Sequence, residues 1–167
     1  APGHGGSTPL HAGSQNGHHE VVTALAAAGA DVDRPMSDSS TPLCVAAQNG
    51  HLAVVKALAA AGASVHQPTN EGGTPLLVAA QDGRLAVVKA LVAMGVDVNA
   101  AMPNGATPLY VACQTGRLEV VRLLLKSGAR VDLAKNGGYA PLCIASYKGH
   151  LEVARLLLEA GSAVDAA

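Results

Sequence analysis

The stretch Gly73-Thr74-Pro75-Leu76-Leu77-Val78-Ala79-Ala80-Gln81-Asp82-Gly83, continued by Val87-Val88 and Gly95-Val96-Asp97-Val98-Asn99, decides the fold. Its Thr-Pro-Leu opening recurs at Thr8-Pro9-Leu10, Thr41-Pro42-Leu43 and Thr107-Pro108-Leu109, with a fifth copy Ala140-Pro141-Leu142, each 33 residues after the last. Nine residues beyond each copy stands a glycine (Gly17, Gly50, Gly83, Gly116, Gly149), and a second glycine closes each unit (Gly29, Gly62, Gly95, Gly128, Gly161). A fixed period of this length means stacked units, each burying its apolar face on its neighbours.

The landmarks have mechanical reasons. In the unit that starts at Thr41, the threonine side chain can cap a helix, and Pro42 at the first helical position forfeits no hydrogen bond. Leu43, Ala46 and Ala47 then share one face by helical spacing. Gly50 can take the left-handed conformation that ends a helix, and a second amphipathic run turns Leu52, Val55, Leu58 and Ala59 inward before Gly62 stops it. Between pairs lie turn-rich stretches: Arg34 to Ser40, Gln67 to Gly73, Ala100 to Ala106 and Ala134 to Tyr139. Their Asn-Gly, Gly-Gly and Pro elements favour reversing hairpins over long strands.

An apolar fraction of 49% with 14% charged residues excludes a disordered chain. No apolar run reaches the ~18 residues of a membrane span. Ala1 to Asn16 lacks the apolar segment of a signal peptide. The net charge of -1 hides a mild split: residues 1–99 hold four Lys/Arg and seven Asp/Glu, residues 100–167 seven and five. Neither half has the basic excess that nucleic acid calls for. With no Phe or Trp and three Tyr, the core must come from Leu, Val, Ile and Ala, which suits closely packed helices.

The unit quoted first resembles an ankyrin repeat, and the resemblance covers essentially all 167 residues. It is specific for fold and unspecific for function. It implies an all-α solenoid of stacked helix pairs joined by short hairpin-like loops. The whole chain, 1–167, would form one domain, with units at about 3–35, 36–68, 69–101, 102–134 and 135–167. It further implies a non-catalytic scaffold whose hairpin tips and first helices form a concave surface for a protein or peptide.

The sequence also departs from the family pattern. The usual His after Thr-Pro-Leu is present only as His11; its equivalents are Cys44, Leu77, Tyr110 and Cys143. That exchange is expected to remove a hydrogen-bonding ladder and place varied side chains near the binding face. In the first unit Gly13-Ser14 replaces the usual Ala-Ala, and glycine inside a helix costs about 0.5–1 kcal/mol relative to alanine, so this unit is expected to be the weakest. The last unit keeps Leu151, Val153, Leu156, Leu157 and Leu158 in the style of an internal repeat. Either the chain is a piece of a longer array or something covers that end.

Catalytic and metal chemistry find little support. Cys44 and Cys143 share a phase three units apart, roughly 25–30 Å at the usual helix spacing, too far for a disulfide. Cys113 lies at another phase. Reduced thiols fit a cytoplasmic or nuclear home, or recombinant production. There is no Cys-x-x-Cys, and His18-His19 is a lone pair, so no metal site is expected. His18, His51 and His150 exchange with Arg84 and Arg117 at one phase, which fits a helix-start position reaching a backbone carbonyl or solvent. His4 and His66 lie in turn regions. No nucleophile elbow, phosphate loop or distinctive carboxylate pair is present, so neither an enzyme nor a cofactor is expected. Asp33, Asp132 and Asp165 recur at one phase, a ladder and not a converging site.

Two surfaces remain as binding candidates. Near the end of the first helices runs a polar ladder, Gln15, Gln48, Gln81, Gln114 and then Tyr147, beside Asn16, Asn49, Asp82, Thr115 and Lys148. The hairpin tips add Ser37, Asp38 and Ser40; Asn70 and Glu71; Pro103 and Asn104; Asn136 and Tyr139. Tyr110, Tyr139 and Tyr147 are the only aromatics, the residue type that dominates interface energetics. The second surface is an alanine seam on the second helices of units 1–3, Glu20-Ala24-Ala27, Ala53-Ala57-Ala60 and Ala86-Ala90-Ala93, where the last two units carry Glu119-Leu123-Lys126 and Glu152-Leu156-Glu159. Such a smooth, nearly uncharged seam, ending in Val92 and Met94, raises homo-oligomer formation as an alternative function. With the high identity between units, it leaves natural and engineered origins both open.

Overall fold

A computed structural model of the protein describes residues 6–164. Ten helices follow in order: α1 Pro9–Asn16, α2 His19–Ala27, α3 Pro42–Asn49, α4 Leu52–Ala60, α5 Pro75–Gln81, α6 Leu85–Ala93, α7 Pro108–Gln114, α8 Leu118–Lys126, α9 Pro141–Tyr147 and α10 Leu151–Glu159. They form antiparallel pairs, and each pair packs on the next, giving the all-α solenoid that the period demands.

Each first helix starts where Thr-Pro-Leu begins. The Oγ1 of Thr8, Thr41, Thr74 and Thr107 accepts from the N–H three residues on, at His11, Cys44, Leu77 and Tyr110, over 3.1–3.4 Å. Ala140 begins α9 without that bond. The helices end at glycine with positive φ, 74° at Gly17 and 83° at Gly50. This glycine serves twice. A Cβ on Gly17 would lie 2.6 Å from the His51 ring, and one on Gly50 2.8 Å from Arg84 Cδ, so the next unit's side chain occupies the space.

Leu43, Leu76 and Leu109 are buried between units at 0–1% exposure, as the register requires. On the second helices the inward residues differ in part from the expected set. Val54, Val55 and Leu58 are fully buried, whereas Leu52 and Ala59 are half-buried and pack at the edge of the core. First helices of successive units pack closely throughout; second helices do so only between α2 and α4 and stand further apart from α4 onward. The array therefore bends with its first helices on the inside.

Residues 28–41, 61–74, 94–107 and 127–140 form four hairpins. Each tip is closed by a backbone bond from Met36 N–H to Ser40 O, Thr69 to Gly73, Met102 to Ala106 or Lys135 to Tyr139, and by a second one returned to the first residue's carbonyl from Ser39, Gly72, Gly105 or Gly138 N–H. The turn needs a left-handed residue, supplied by Gly72, Gly105 and Gly138 but by Ser39, at φ 64°, in the first hairpin.

Candidate partner-binding surface

Hydrogen bonds between units determine which polar groups stay free for a partner. At the helix-start phase, His51 Nε2 lies 3.0 Å from the Gln15 carbonyl, and Arg84 Nε donates to Gln48 O (2.9 Å). Arg117 Nε donates to Gln81 O (3.1 Å), and His150 Nε2 lies 3.1 Å from Gln114 O. The His/Arg exchange is thereby explained: both side chains reach 36 residues back to satisfy a carbonyl at the end of a helix. The Gln ladder spends its backbone on these rungs. The side chains of Gln48, Asn49 and Gln81 are exposed, those of Asp82 and Gln114 half-buried. Asn49 turns its carboxamide back to Val45 O (2.9 Å).

The hairpin tips are committed to one another more than the sequence suggested. Asn70 donates its backbone N–H to Asp38 O (2.9 Å) and its side-chain amide to Ser37 O (3.0 Å), and Ser39 Oγ donates to Asn70 Oδ1. Asp38 also holds its own turn, accepting from Ser40 N–H and Oγ–H. Those bonds, that of the Ser40 backbone foremost, keep its carboxyl below the usual range. Asn136 repeats the pattern on Asn104 O (2.8 Å) and Pro103 O (3.1 Å). At the hairpin bases Asp33 accepts from Ser64 N–H (2.9 Å), and Asn99 accepts from Arg130 N–H (2.9 Å) while donating to Gly128 O (3.3 Å). Asp132 accepts from Ser162 Oγ at 2.7 Å. The aspartate ladder is thus a set of stitches; Asp165, like His4, lies outside the described residues.

The stitching alternates. The first hairpin is joined to the second, and the third to the fourth. Among the described residues, no hydrogen bond joins the second to the third. The chemistry is plain: His66 stands where Asp33 and Asn99 offer an oxygen, and Pro103 stands where Asn70 and Asn136 offer an N–H and an amide. A small cavity of about 70 Å³ lies at this junction, lined by Val65, His66, Leu76, Val96 and Asp97 among others.

Tyr110 is not the surface anchor that the aromatic argument made it. It is 4% exposed, with Lys135 Nζ 5.9 Å above its ring, and burial, aided by Tyr139 and Cys143, raises its phenol above the ordinary range. Its equivalents Cys44 and Leu77 are buried and Cys143 is half-buried, so this phase packs beneath the surface instead of presenting varied side chains on it. His11 shows why. Its Nδ1 accepts from Thr8 N–H at 3.1 Å, which leaves Nε2–H to donate to Ser40 O at 3.2 Å, linking the first unit to the second. Tyr139 and Tyr147, by contrast, are 59% and 80% exposed, with Lys148 Nζ 5.4 Å from the Tyr147 ring. Glu71, Asn104, Asn136 and Lys148 are also exposed.

The alanine seam differs from its expected character. Ala53, Ala60, Ala86 and Ala93 are exposed, but Ala57, Ala90 and Val92 are half-buried, and Met94 is 36% exposed. Lys56 and Lys89 line the same trough between α4 and α6, so the face is basic and not uncharged. The i, i+4, i+7 positions were alanine; the lysine at i+3 shares their face.

Burial pushes the Cys44 and Cys113 thiols up to about 12, and none of the three cysteines is in a disulfide. Among the described residues no group of three His, Cys, Asp or Glu side chains could hold a metal, and no helix is long and apolar enough to cross a membrane.

A sequence profile of ankyrin repeats, described in sets of three copies, matches residues 10–102 and again 76–167. The chain belongs to the ankyrin-repeat family. Ankyrin repeats are in general protein–protein interaction modules and a non-catalytic fold. Among curated proteins, none matches this one.

Proposed function

We propose that this ankyrin array, 1–167 acting as one domain of five units, is a non-catalytic scaffold. It binds a protein or peptide along the inner first-helix face and the hairpin tips. The observation that carries the reading is the pair Tyr139 and Tyr147, which stand 59% and 80% exposed at one end of that face. Large aromatics left in water are the side chains an interface gains most by covering. Gln48, Asn49, Gln81, Asp82 and Gln114 extend the surface with neutral and acidic groups that can follow an extended chain. The tip residues contribute through what their mutual stitching leaves over. Ser37, Asp38, Ser40, Asn70, Pro103, Asn104 and Asn136 serve first to hold the hairpins in place, a pre-organised edge that a partner need not order.

A second copy bound through the alanine seam is the weaker reading. Isologous pairing would bring Lys56 and Lys89 against the same lysines of the partner copy, and like charges across an interface oppose it. The test is a displayed-peptide selection on the immobilised protein, followed by affinities for Tyr139→Ala and Tyr147→Ala. Recovered ligands should weaken roughly tenfold or more for at least one variant. Ligands that bind both variants as well as the parent would refute the assignment.

A further inference from the structure

The second-helix face carries two features that its own packing leaves unused. The first is electrostatic. In α8 and α10 the basic residue of this face, Arg122 or Arg155, pairs one turn back with Glu119 (3.9 Å) or Glu152 (3.1 Å). At the equivalent positions in α4 and α6 the base is Lys56 or Lys89, and the acid is replaced by Ala53 or Ala86. Neither helix contains any acidic residue. Two cations are therefore presented side by side without a carboxylate on their own helices.

The second feature is steric. Leu123 and Leu156 lie partly buried against the core in α8 and α10, whereas the same positions in α4 and α6 are Ala57 and Ala90. Cutting leucine back to alanine where second helices already stand apart opens an apolar trough of about 520 Å³. It runs between α4 and α6, lined by Leu52, Ala86, Ala90, Ala93 and Met94 with the two lysines. The position is thus shaped for a larger apolar side chain that this chain supplies in its later units but not here.

We propose that this trough docks an acidic amphipathic helix of a partner protein, with a leucine-sized side chain seated over Ala90 and carboxylates paired to Lys56 and Lys89. The charge decides the occupant: a second copy would bring lysines to lysines, while an acidic helix meets both. The spacing agrees. The axes of neighbouring packed helices lie roughly 8–10 Å apart, the same order as the about 10 Å between carboxylates two turns apart on one helix, and flexible lysine side chains can take up the difference. This site lies on the face opposite Tyr139 and Tyr147, so it stands or falls independently of the concave-face reading.

The probe is a synthetic helical peptide with leucines at i, i+3, i+4 and i+7 flanked by glutamates; its twin carries lysine for every glutamate. The acidic peptide should bind, measured by fluorescence anisotropy, and the basic twin should not. Replacing both Lys56→Gln and Lys89→Gln should weaken binding about tenfold and flatten its salt dependence. Ala90→Leu should weaken it about tenfold or more by filling the seat, without lowering the melting temperature, since leucine is already accommodated at Leu123. The proposal is overturned if the basic twin binds equally well, if either variant leaves affinity unchanged, or if Tyr147→Ala weakens the peptide as much as they do.

Discussion

Restoring the missing stitches between the second and third hairpins should stiffen and stabilise the array. The perturbation is His66→Asn together with Pro103→Asn, each borrowing the residue used at the equivalent place elsewhere. Asn99 shows what Asn at 66 can do: its Oδ1 accepts from Arg130 N–H at 2.9 Å and its amide donates to Gly128 O at 3.3 Å. The corresponding groups here are Asp97 N–H and Gly95 O. Asn70 and Asn136 show what Asn at 103 can do, one backbone bond of 2.9 or 2.8 Å and one side-chain bond of 3.0 or 3.1 Å. The receiving carbonyls are Glu71 O and Asn70 O.

The new bonds should each contribute toward the low end of about 0.5–1.5 kcal/mol, because the tips are solvated. Against them stands the loss of proline's restriction of the unfolded chain, about 0.4–1 kcal/mol. A net gain of about 1–2 kcal/mol follows, or about 2–8 °C in melting temperature for a chain of this size. Because both substitutions close one junction, the double variant should exceed the sum of the singles. Thermal and urea denaturation give the stability, and hydrogen exchange at the Asp97 amide reports the stitch directly. If the double variant melts with the parent and the Asp97 amide exchanges no more slowly, the alternate stitching is without energetic meaning and the reasoning fails.

Three further outcomes follow from buried polar groups. Ser14 Oγ is buried without a partner where Ala47 and Ala80 stand in other units, so Ser14→Ala should raise stability by about 1–2 kcal/mol in denaturant titration. A loss instead would mean that the hydroxyl is satisfied. Burial holds the His11 ring below its usual 6.5, its bond to Ser40 opposing only in part. The unfolded chain therefore takes up a proton first as pH falls. Stability contributed by neutral His11 is full above 6.5 and declines below it until the folded-state value is passed. His11→Gln should flatten that part of a pH-stability curve, and an unchanged slope would contradict the assignment. Finally, iodoacetamide at neutral pH should label Cys143 fastest, with Cys44 and Cys113, raised to about 12, reacting on unfolding; peptide mass mapping checks the order.

The sequence contained nearly all of the fold because each landmark is local. A threonine cap, a proline at the first helical position and a glycine with positive φ act within a few residues, so their meaning survives without a neighbour. Only the inner face of the second helices was partly misread. Spacing from Leu52 and Val55 missed Val54, which turns inward because an adjacent unit lies on that side. The tips were harder for a related reason: a polar residue on a hairpin looks solvated until the next hairpin is placed above it. The signal was present, since Asn70 and Asn136 share a phase with Pro103, but only stacking turns that comparison into bonds made and bonds lost.

The reading of Tyr110 and that of the alanines missed for opposite physical reasons, and both bear on the two proposed surfaces. Tyr110 sits at the phase of His11, a position buried in the first four units and half-buried at Cys143 in the fifth, so residue type could not outweigh position. Tyr139 and Tyr147 themselves stay in water, at 59% and 80% exposure, and there the same residue type is open to a partner. On the other face the alanines suggested neutrality because only their own spacing was followed. The removal of Glu at 53 and 86 leaves Lys56 and Lys89 without the partner that Arg122 and Arg155 retain. Small side chains there do not smooth the surface; they strip a lysine of its acid and a core edge of its leucine. An array built of near-identical units thus gains distinct surfaces from the few phases at which the units differ, and those phases are where substitution should change binding before it changes the fold.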